Sequence, residues 1–320
     1  MLIAVTGGTG YLGAHIVSAL LDAGHRVRLL VEPSFRNDEL TALLSDRGEV
    51  TWLRGDVRDR ATVSELLDGC DALLHAAGIV GTDDSRAQLM WEINAYATES
   101  ILRTAAERGL DPIVSVSSYA SLFPPPGPVI GPDRDGRSAY GKTKAYADRV
   151  ARELQRDGAP VVVTYPSSVV GPALATAPGI TEQGWQTIVR YRIAPRVRDA
   201  GMQMVDVRDI ADVHVALMRP GRGPKRYVCG GVFMTFDEMV SAVEAGAGVR
   251  IRRVPLSPAV FRAVGRVSDL LAGLAPLGAG FSYEAAQLIT AGIPTDDSVT
   301  LSELGITWRS PREAIIASFQ

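Results

Sequence analysis

Short aliphatic and β-branched runs alternate with amphipathic stretches through the first half of the chain. Runs at 2–6, 26–31, 50–54, 72–75, 113–117 and 161–165 have the length of single strands. Between them apolar residues recur every three or four positions, over 11–23 (Leu12, Ile16, Ala19 and Leu20 inward), 37–45, 61–67, 87–108 and 138–156. Strands divided by helices pair in parallel, through crossovers that lay the helices on the sheet. The pattern predicts an α/β fold built on a doubly wound parallel sheet.

Beyond Tyr165 the alternation breaks up. Segment 166–204 is loop-rich, 205–218 reads as a short strand and a helix, and 226–229 as another strand. From about Pro255 the chain is mostly helical, with Gly/Pro punctuation at 272–280, and Pro124-Pro125-Pro126-Gly127-Pro128 marks a stiff surface loop. The expected organisation is a sheet domain over 1–165, rejoined by roughly 205–230, and a smaller, mostly helical C-terminal cap from 166–204 and 231–320.

Composition narrows the class. With 46% hydrophobic and 22% charged residues in 320, the chain can bury a large core and is neither disordered nor fibrous. A net charge of −3 provides no basic field for nucleic acid or anionic lipid. Cys70 and Cys229 make neither a disulfide framework nor a Cys-rich zinc site, and His15, His25, His75 and His214 lack ligand spacing, so no metal is expected. The longest uncharged apolar stretch, 270–283, contains Pro276 and is too short to span a bilayer. No signal peptide precedes the first strand, and a cytoplasmic location is the expectation.

Chemistry concentrates after the strands. Thr6-Gly7-Gly8-Thr9-Gly10-Tyr11-Leu12-Gly13 holds both a GxxGxxG frame (Gly7, Gly10, Gly13) and a GxGxxG frame (Gly8, Gly10, Gly13), between a strand and a helix. There glycines permit a tight turn and close approach to a pyrophosphate, while the helix N-terminus supplies N–H donors. This predicts a Rossmann-type dinucleotide site. Glu32, at the end of the second strand, is placed to bond ribose hydroxyls and repel a 2′-phosphate, which favours NAD; Arg36, four residues on, would instead cradle that phosphate in NADP. Asp56 in Gly55-Asp56-Val57-Arg58-Asp59 either accepts from an adenine amino group or, like Asp59, caps the next helix. His75-Ala76-Ala77-Gly78 puts small residues where a flat cofactor must pass, and His75 itself reads as a packed core histidine. In Ser138-Ala139-Tyr140-Gly141-Lys142-Thr143-Lys144, positions 140 and 144 share a helix face. An ammonium beside a phenol stabilises phenolate and draws its pKa of about 10 toward neutrality. Val116-Ser117-Ser118 ends the fifth strand, on the crevice side of such a sheet.

The TGGTGYLG, GDVRD, HAAG, SVSS, YGKTK and PSSVVGP stretches together resemble the extended short-chain dehydrogenase/reductases, a group with NAD-dependent epimerases and dehydratases, dihydroflavonol reductases and 3β-hydroxysteroid dehydrogenases. The resemblance is dense to about residue 175 and looser beyond, through Val205-Asp206-Val207-Arg208-Asp209-Ile210-Ala211-Asp212 and Leu304-Gly305-Ile306. It implies that Tyr140 is the general acid/base, Lys144 its pKa modulator and a ribose contact, and Ser118 the donor to the substrate oxygen. It places Gly7, Gly10, Tyr11, Leu12 and Gly13 around the pyrophosphate, Asp56 and Val57 at the adenine, Ala76, Ala77 and Gly78 along the cofactor, and Pro166, Ser167 and Val169 near the nicotinamide. Asn94 falls where the family often keeps an asparagine, with either a catalytic role or a backbone hydrogen bond in the core. It also implies a homodimer through helices near 87–108 and 138–156.

Two departures bear on substrate. Sugar-nucleotide members read PSNVYGP, whereas Ser168 stands here at the asparagine position, and Gly201-Met202-Gln203-Met204 lacks their arginine. Arg190, Arg192, Arg196 and Arg198 either replace that clamp or form a solvated face. The apolar Val260, Phe261, Val264, Val267, Leu270, Leu271 and Leu274 lie closer to the dihydroflavonol-reductase and hydroxysteroid-dehydrogenase branch. The expectation is an NAD(P)-dependent oxidoreductase interconverting a carbonyl and a secondary alcohol on a mostly apolar small molecule. The alternatives are a sugar-nucleotide epimerase/dehydratase and a non-catalytic NAD(P) sensor.

Overall fold

The computed structural model describes the chain apart from residues 82–85, 123–137, 199 and 272–282. The Pro124–Pro128 loop and the 272–280 stretch, with Leu274, thus lie outside the described residues.

Twelve strands are described: β1 (Leu2–Thr6), β2 (Arg26–Val31), β3 (Val50–Arg54), β4 (Ala72–His75), β5 (Ile113–Val116), β6 (Val161–Pro166), β7 (Ser168–Val170), β8 (Ile193–Val197), β9 (Gly201–Asp206), β10 (Lys225–Cys229), β11 (Val232–Thr235) and β12 (Arg252–Leu256). Seven form one all-parallel sheet in the order β3-β2-β1-β4-β5-β6-β10. Connections run one way from β1 and the other way from β4, so the carboxyl ends of these two strands flank the crevice where such sheets bind ligands.

The period of two along each strand builds both cores. Ile3, Val5, Leu74, Val114 and Val162 face α1 (Tyr11–Asp22), α2 (Asp38–Arg47) and their neighbours. Ala4, Leu73, Ile113, Val161 and Val163 face the opposite layer. That layer is α3 (Arg60–Leu67), a segment from α4 (Ala87–Met90) through a π-helical stretch (Trp91–Ala97) to α5 (Thr98–Glu107), and α6 (Ala139–Arg156). The expected continuous helix over 87–108 is therefore interrupted. Short polar side chains start the helices: Asn37 Oδ1 accepts Leu40 N–H at 3.0 Å, Asp59 Oδ2 accepts Thr62 N–H at 2.8 Å and Ser138 Oγ accepts Gly141 N–H at 3.1 Å.

Segment 166–204 carries more regular structure than its prolines suggest: β7, α7 (Ile180–Tyr191), β8 and most of β9. The strand expected from 205 starts at Gly201 and joins a separate sheet, β11-β9-β7, while β12 and β8 pair in a third. The return to the main sheet is made by β10, parallel to β6. The helix α8 (Val207–Leu217), capped by Asp206, contributes Ile210, Val213 and Leu217 to the core of α1. The remaining helices are α9 (Phe236–Ala247), α10 (Pro258–Leu271), α11 (Tyr283–Ala291), α12 (Ser298–Leu304) and α13 (Pro311–Ala317). A third core, with Trp185, Met204, Phe236, Met239, Phe261 and Ile315, holds this region together. Among the described residues no helix is long and apolar enough to cross a membrane.

Candidate active site

The glycine turn joins β1 to α1, and each glycine has its own reason. Gly7 has φ +74°, and a Cβ there would lie 2.5 Å from the Ala76 carbonyl carbon and the Ala77 nitrogen. A Cβ on Gly8 would meet Leu29 and Val17, and one on Gly13 would overlap the Gly7 carbonyl oxygen. Gly10 differs: the nearest atom to its Cβ position is the Gly7 oxygen at 3.4 Å, so protein packing alone does not demand glycine. It stands at the N-cap of α1 without a side-chain cap, leaving the first-turn N–H groups to a ligand. The turn therefore fits a pyrophosphate. Leu12 packs partly buried against the α1 core, and the Tyr11 hydroxyl reaches Gly171, far along the chain.

The β4 end lies against this turn. Ala76 N–H donates to Thr6 O at 3.1 Å and Ala77 N–H to Thr6 Oγ1 at 3.3 Å. His75 is buried between Thr6 Oγ1 (2.7 Å from Nδ1) and Thr98 Oγ1 (2.9 Å from Nε2), and burial holds its imidazole neutral, with a pKa lowered to about 3. It is a core histidine tying β4 to β1 and α5. Asn94, in the π-helical stretch, accepts Ile79 N–H at 2.7 Å and donates to Ile79 O at 2.8 Å and Thr143 Oγ1 at 3.4 Å. Its amide is thus engaged with backbone, and it shapes the strand exit at Gly78, where a Cβ would come within 3.3 Å of Asn94 Oδ1 and 3.4 Å of Lys144 Nζ.

Lys144 is buried on α6, donating from Nζ to Val116 O at 3.2 Å, and desolvation lowers its pKa to about 8. Tyr140 is one turn earlier and partly exposed. The β5 exit continues through Ser117 and Ser118 into a 3₁₀ turn (Tyr119–Leu122). Ser118 Oγ accepts Ala120 N–H at 3.1 Å. The fold thus gathers Gly7, Ala76, Ala77, Gly78, Asn94 and Lys144 around adjacent strand ends.

The more distant predicted residues lie at the carboxyl ends of β2, β3 and β6. Glu32 is exposed, and the Arg36 guanidinium donates to Pro33 O (3.2 Å) and Phe35 O (2.7 Å). Arg54 Nη1, which no motif marks, reaches the same two carbonyls at 3.3 and 3.1 Å. The two readings of the GDVRD stretch separate: Asp59 caps α3, whereas Asp56 is ion-paired with Arg58 at 2.6 Å, which lowers its pKa. Val57 packs on the α3 layer. Pro166 ends β6. Ser167 Oγ donates to Gly230 O at 2.7 Å, and Val169 packs partly buried against the α1 core. Arg190, Arg192, Arg196 and Arg198 are all exposed, and Arg196 is ion-paired with Asp237 at 2.7 Å.

One group was invisible to sequence patterning. Glu182 on α7 is 4% exposed and meets Tyr11, which is 171 positions away. No periodicity or motif spacing reports a contact at that separation. Among the described residues no group of His, Cys, Asp and Glu could hold a metal ion.

Known proteins with similar sequences span almost the whole chain. "Sterol demethylase protein B" of Methylococcus capsulatus is 28% identical over 323 residues, covering 98% of this chain and 96% of that protein. A "putative dihydroflavonol 4-reductase" of Synechocystis sp. is 28% identical over 338 residues, covering 97% and 91%. The crystal structure of gox2253 superposes with a TM-score of 0.79 at 25% identity, covering 99% of this chain and 96% of that one. The model of the NAD dependent epimerase/dehydratase family matches residues 3–230, through the glycine turn, the Tyr140 to Lys144 helix and β10. The chain belongs to that family, as an NAD(P)-dependent enzyme of the extended short-chain dehydrogenase/reductase type.

Proposed function

We propose that this enzyme interconverts a carbonyl and a secondary alcohol on a mostly apolar small molecule, with Ser118, Tyr140 and Lys144 as its proton-handling set. The observation that carries the reading is that Tyr140 stands one turn before Lys144 on α6, and that Lys144 reaches the exits of β5, at Val116 O, and of β4, at Gly78. Bound NAD would supply or accept the hydride. Tyr140 gives its proton to the substrate oxygen on reduction and takes it back on oxidation. The Lys144 ammonium favours the phenolate left behind, and it is held in place by Val116 O. Ser118 Oγ uses a lone pair for Ala120 N–H, which leaves its proton to steady charge on the substrate oxygen. Relatives named for a sterol and a dihydroflavonol support an apolar substrate. Two domains, divided as the sequence pattern suggests, remain part of the reading, as does a homodimer through the helical segments near 87–108 and 138–156. There Tyr96, 55% exposed, packs against Trp91 and Tyr146; size-exclusion chromatography with light scattering tests it.

Replacing Tyr140 with Phe is expected to cut turnover by about 10²–10⁴-fold while NAD binding is kept. Unchanged turnover would refute the assignment. Glu32 supports NAD over NADP, against Arg36 and Arg54 nearby. A larger thermal stabilisation by NADP than by NAD would reverse that preference. Sugar-nucleotide epimerisation is the second reading, favoured by the family match. Stabilisation by UDP- or dTDP-sugars, with no net NADH formed from alcohols, would select it. Tight NAD binding with no hydride transfer to any carbonyl would leave a sensor.

A further inference from the structure

Resting on the reading of Gly7 to Gly13 as a dinucleotide turn, we propose that Glu182 is a positioning residue. From α7, as the uncharged acid, it holds the Tyr11 phenol and with it the first turn of α1 in the arrangement that binds the pyrophosphate. Tyr11 is the first residue of α1, directly after Gly10, and its hydroxyl lies 2.8 Å from Gly171 O and 3.3 Å from Glu182 Oε1. Gly171 N–H in turn donates to Glu182 Oε1 at 3.1 Å. Glu182 Oε1 thus accepts from both the Tyr11 hydroxyl and Gly171 N–H, while the Tyr11 hydroxyl also faces Gly171 O, so the three groups close a ring. A phenol has one proton. It is shared between the nearer Gly171 oxygen and Glu182 Oε1, which leaves the Glu182 proton to Oε2.

The surroundings agree. Glu182 Oε2 is buried with no hydrogen-bond partner, a costly place for half of a carboxylate charge and a cheaper one for a neutral hydroxyl. Gly179 leaves the room: a Cβ there would lie 2.5 Å from Glu182 Oε2 and 2.9 Å from the Tyr11 ring. The other titratable or charged groups nearby are His15 on α1, whose Nε2 is 2.9 Å from Pro172 O, and Asp206 at the end of β9, ion-paired with Arg208. Asp206 lies 3.7 Å from the Cβ position of Gly171, and its charge acts on Tyr11 and His15. Burial raises the Glu182 pKa from 4.5 to about 7. Because burial of Oε2 keeps a proton that a released glutamate would lose, the latch holds below about 7 and opens as pH rises through that value.

The test is calorimetric titration of the full-length protein with NAD from about pH 5.5 to about 8.5, a range that brackets the Glu182 transition. Wild-type affinity should fall above about pH 7. Glu182→Gln keeps an uncharged acceptor oxygen for Tyr11 and Gly171, so its affinity should match the low-pH wild type and stay flat with pH. Glu182→Ala and Tyr11→Phe should bind about tenfold more weakly, the loss of one or two hydrogen bonds. A pH dependence that survives Glu182→Gln and disappears in His15→Asn would overturn the latch alone. So would full affinity in Glu182→Ala. A wild-type protein that binds no NAD would instead overturn the dinucleotide reading on which the latch rests.

Discussion

Gly13 shows how a single residue can be legible for one reason and required for another. The motif marks it as a cofactor residue, yet its Cβ position overlaps the Gly7 carbonyl oxygen, so the turn itself forbids a side chain. Gly13→Ala is expected to lose NAD binding and to destabilise the fold by about 1–3 kcal/mol through overpacking, measured by urea denaturation. Lys144 makes a second prediction. Burial lowers its pKa from 10.5 to about 8, so the ammonium proposed to support the phenolate is present below about 8 and lost above. The rate of carbonyl reduction should therefore decline along an alkaline limb near pH 8, and Lys144→Met should remove that limb with most of the activity. For stability, a cation with a lowered folded pKa binds fewer protons when folded. Its burial therefore costs most below about 8, and the cost fades as pH rises toward 10.5.

Helix starts were readable where a short polar residue precedes an amphipathic run. Asn37, the first residue of the expected helix, is its cap: it accepts Leu40 N–H and its Nδ2 donates to Ala175 O at 2.7 Å. Asn37→Ala should cost about 1–2 kcal/mol of stability in urea denaturation, at the upper end for a cap because a tertiary bond goes with it. The π-helical stretch within 87–107 was not readable. Residues 91–97 have ordinary helical spacing; Asn94 sits there with its amide on the backbone of Ile79, a contact between separate segments. The small sheet formed by β7, β9 and β11 was missed for a related reason. β7 and β11 carry too few alternations to be distinguished from loop, and of β9 only the end from 205 was read as strand.

Across the whole molecule, the N-terminal sheet depends on the C-terminal half of the chain. Val205, Ile210, Val213, Leu217, Tyr227 and Cys229 share one core with Ile3, Val5, Ile16 and Val17. β10 covers the edge of β6, and α12 fastens it: Glu303 takes Tyr227 O–H at 2.8 Å and Lys225 at 2.9 Å, and Thr300 Oγ1 donates to Val228 O at 2.6 Å. A chain ending at residue 167 would expose that edge together with the α1 face that α8 covers. It is expected to aggregate and to lack a cooperative thermal transition, as read by size-exclusion chromatography and circular dichroism. A monomeric, cooperatively melting fragment would show that 1–167 stands alone.

The sequence by itself determined the strands of the main sheet up to β6, because a buried parallel strand must be apolar along most of its length. It also determined the glycine turn and the Tyr140 and Lys144 pair, because the residues of each lie close together along the chain. The structure, rather than the spacing, separated the surroundings of the carboxylates. Asp56 is held by Arg58 while Asp59 caps a helix, a choice that spacing left even. Glu182 is an ordinary helix residue until folding carries it to Tyr11. Periodicity encodes which face of an element is buried; the partner that face meets depends on how distant elements pack.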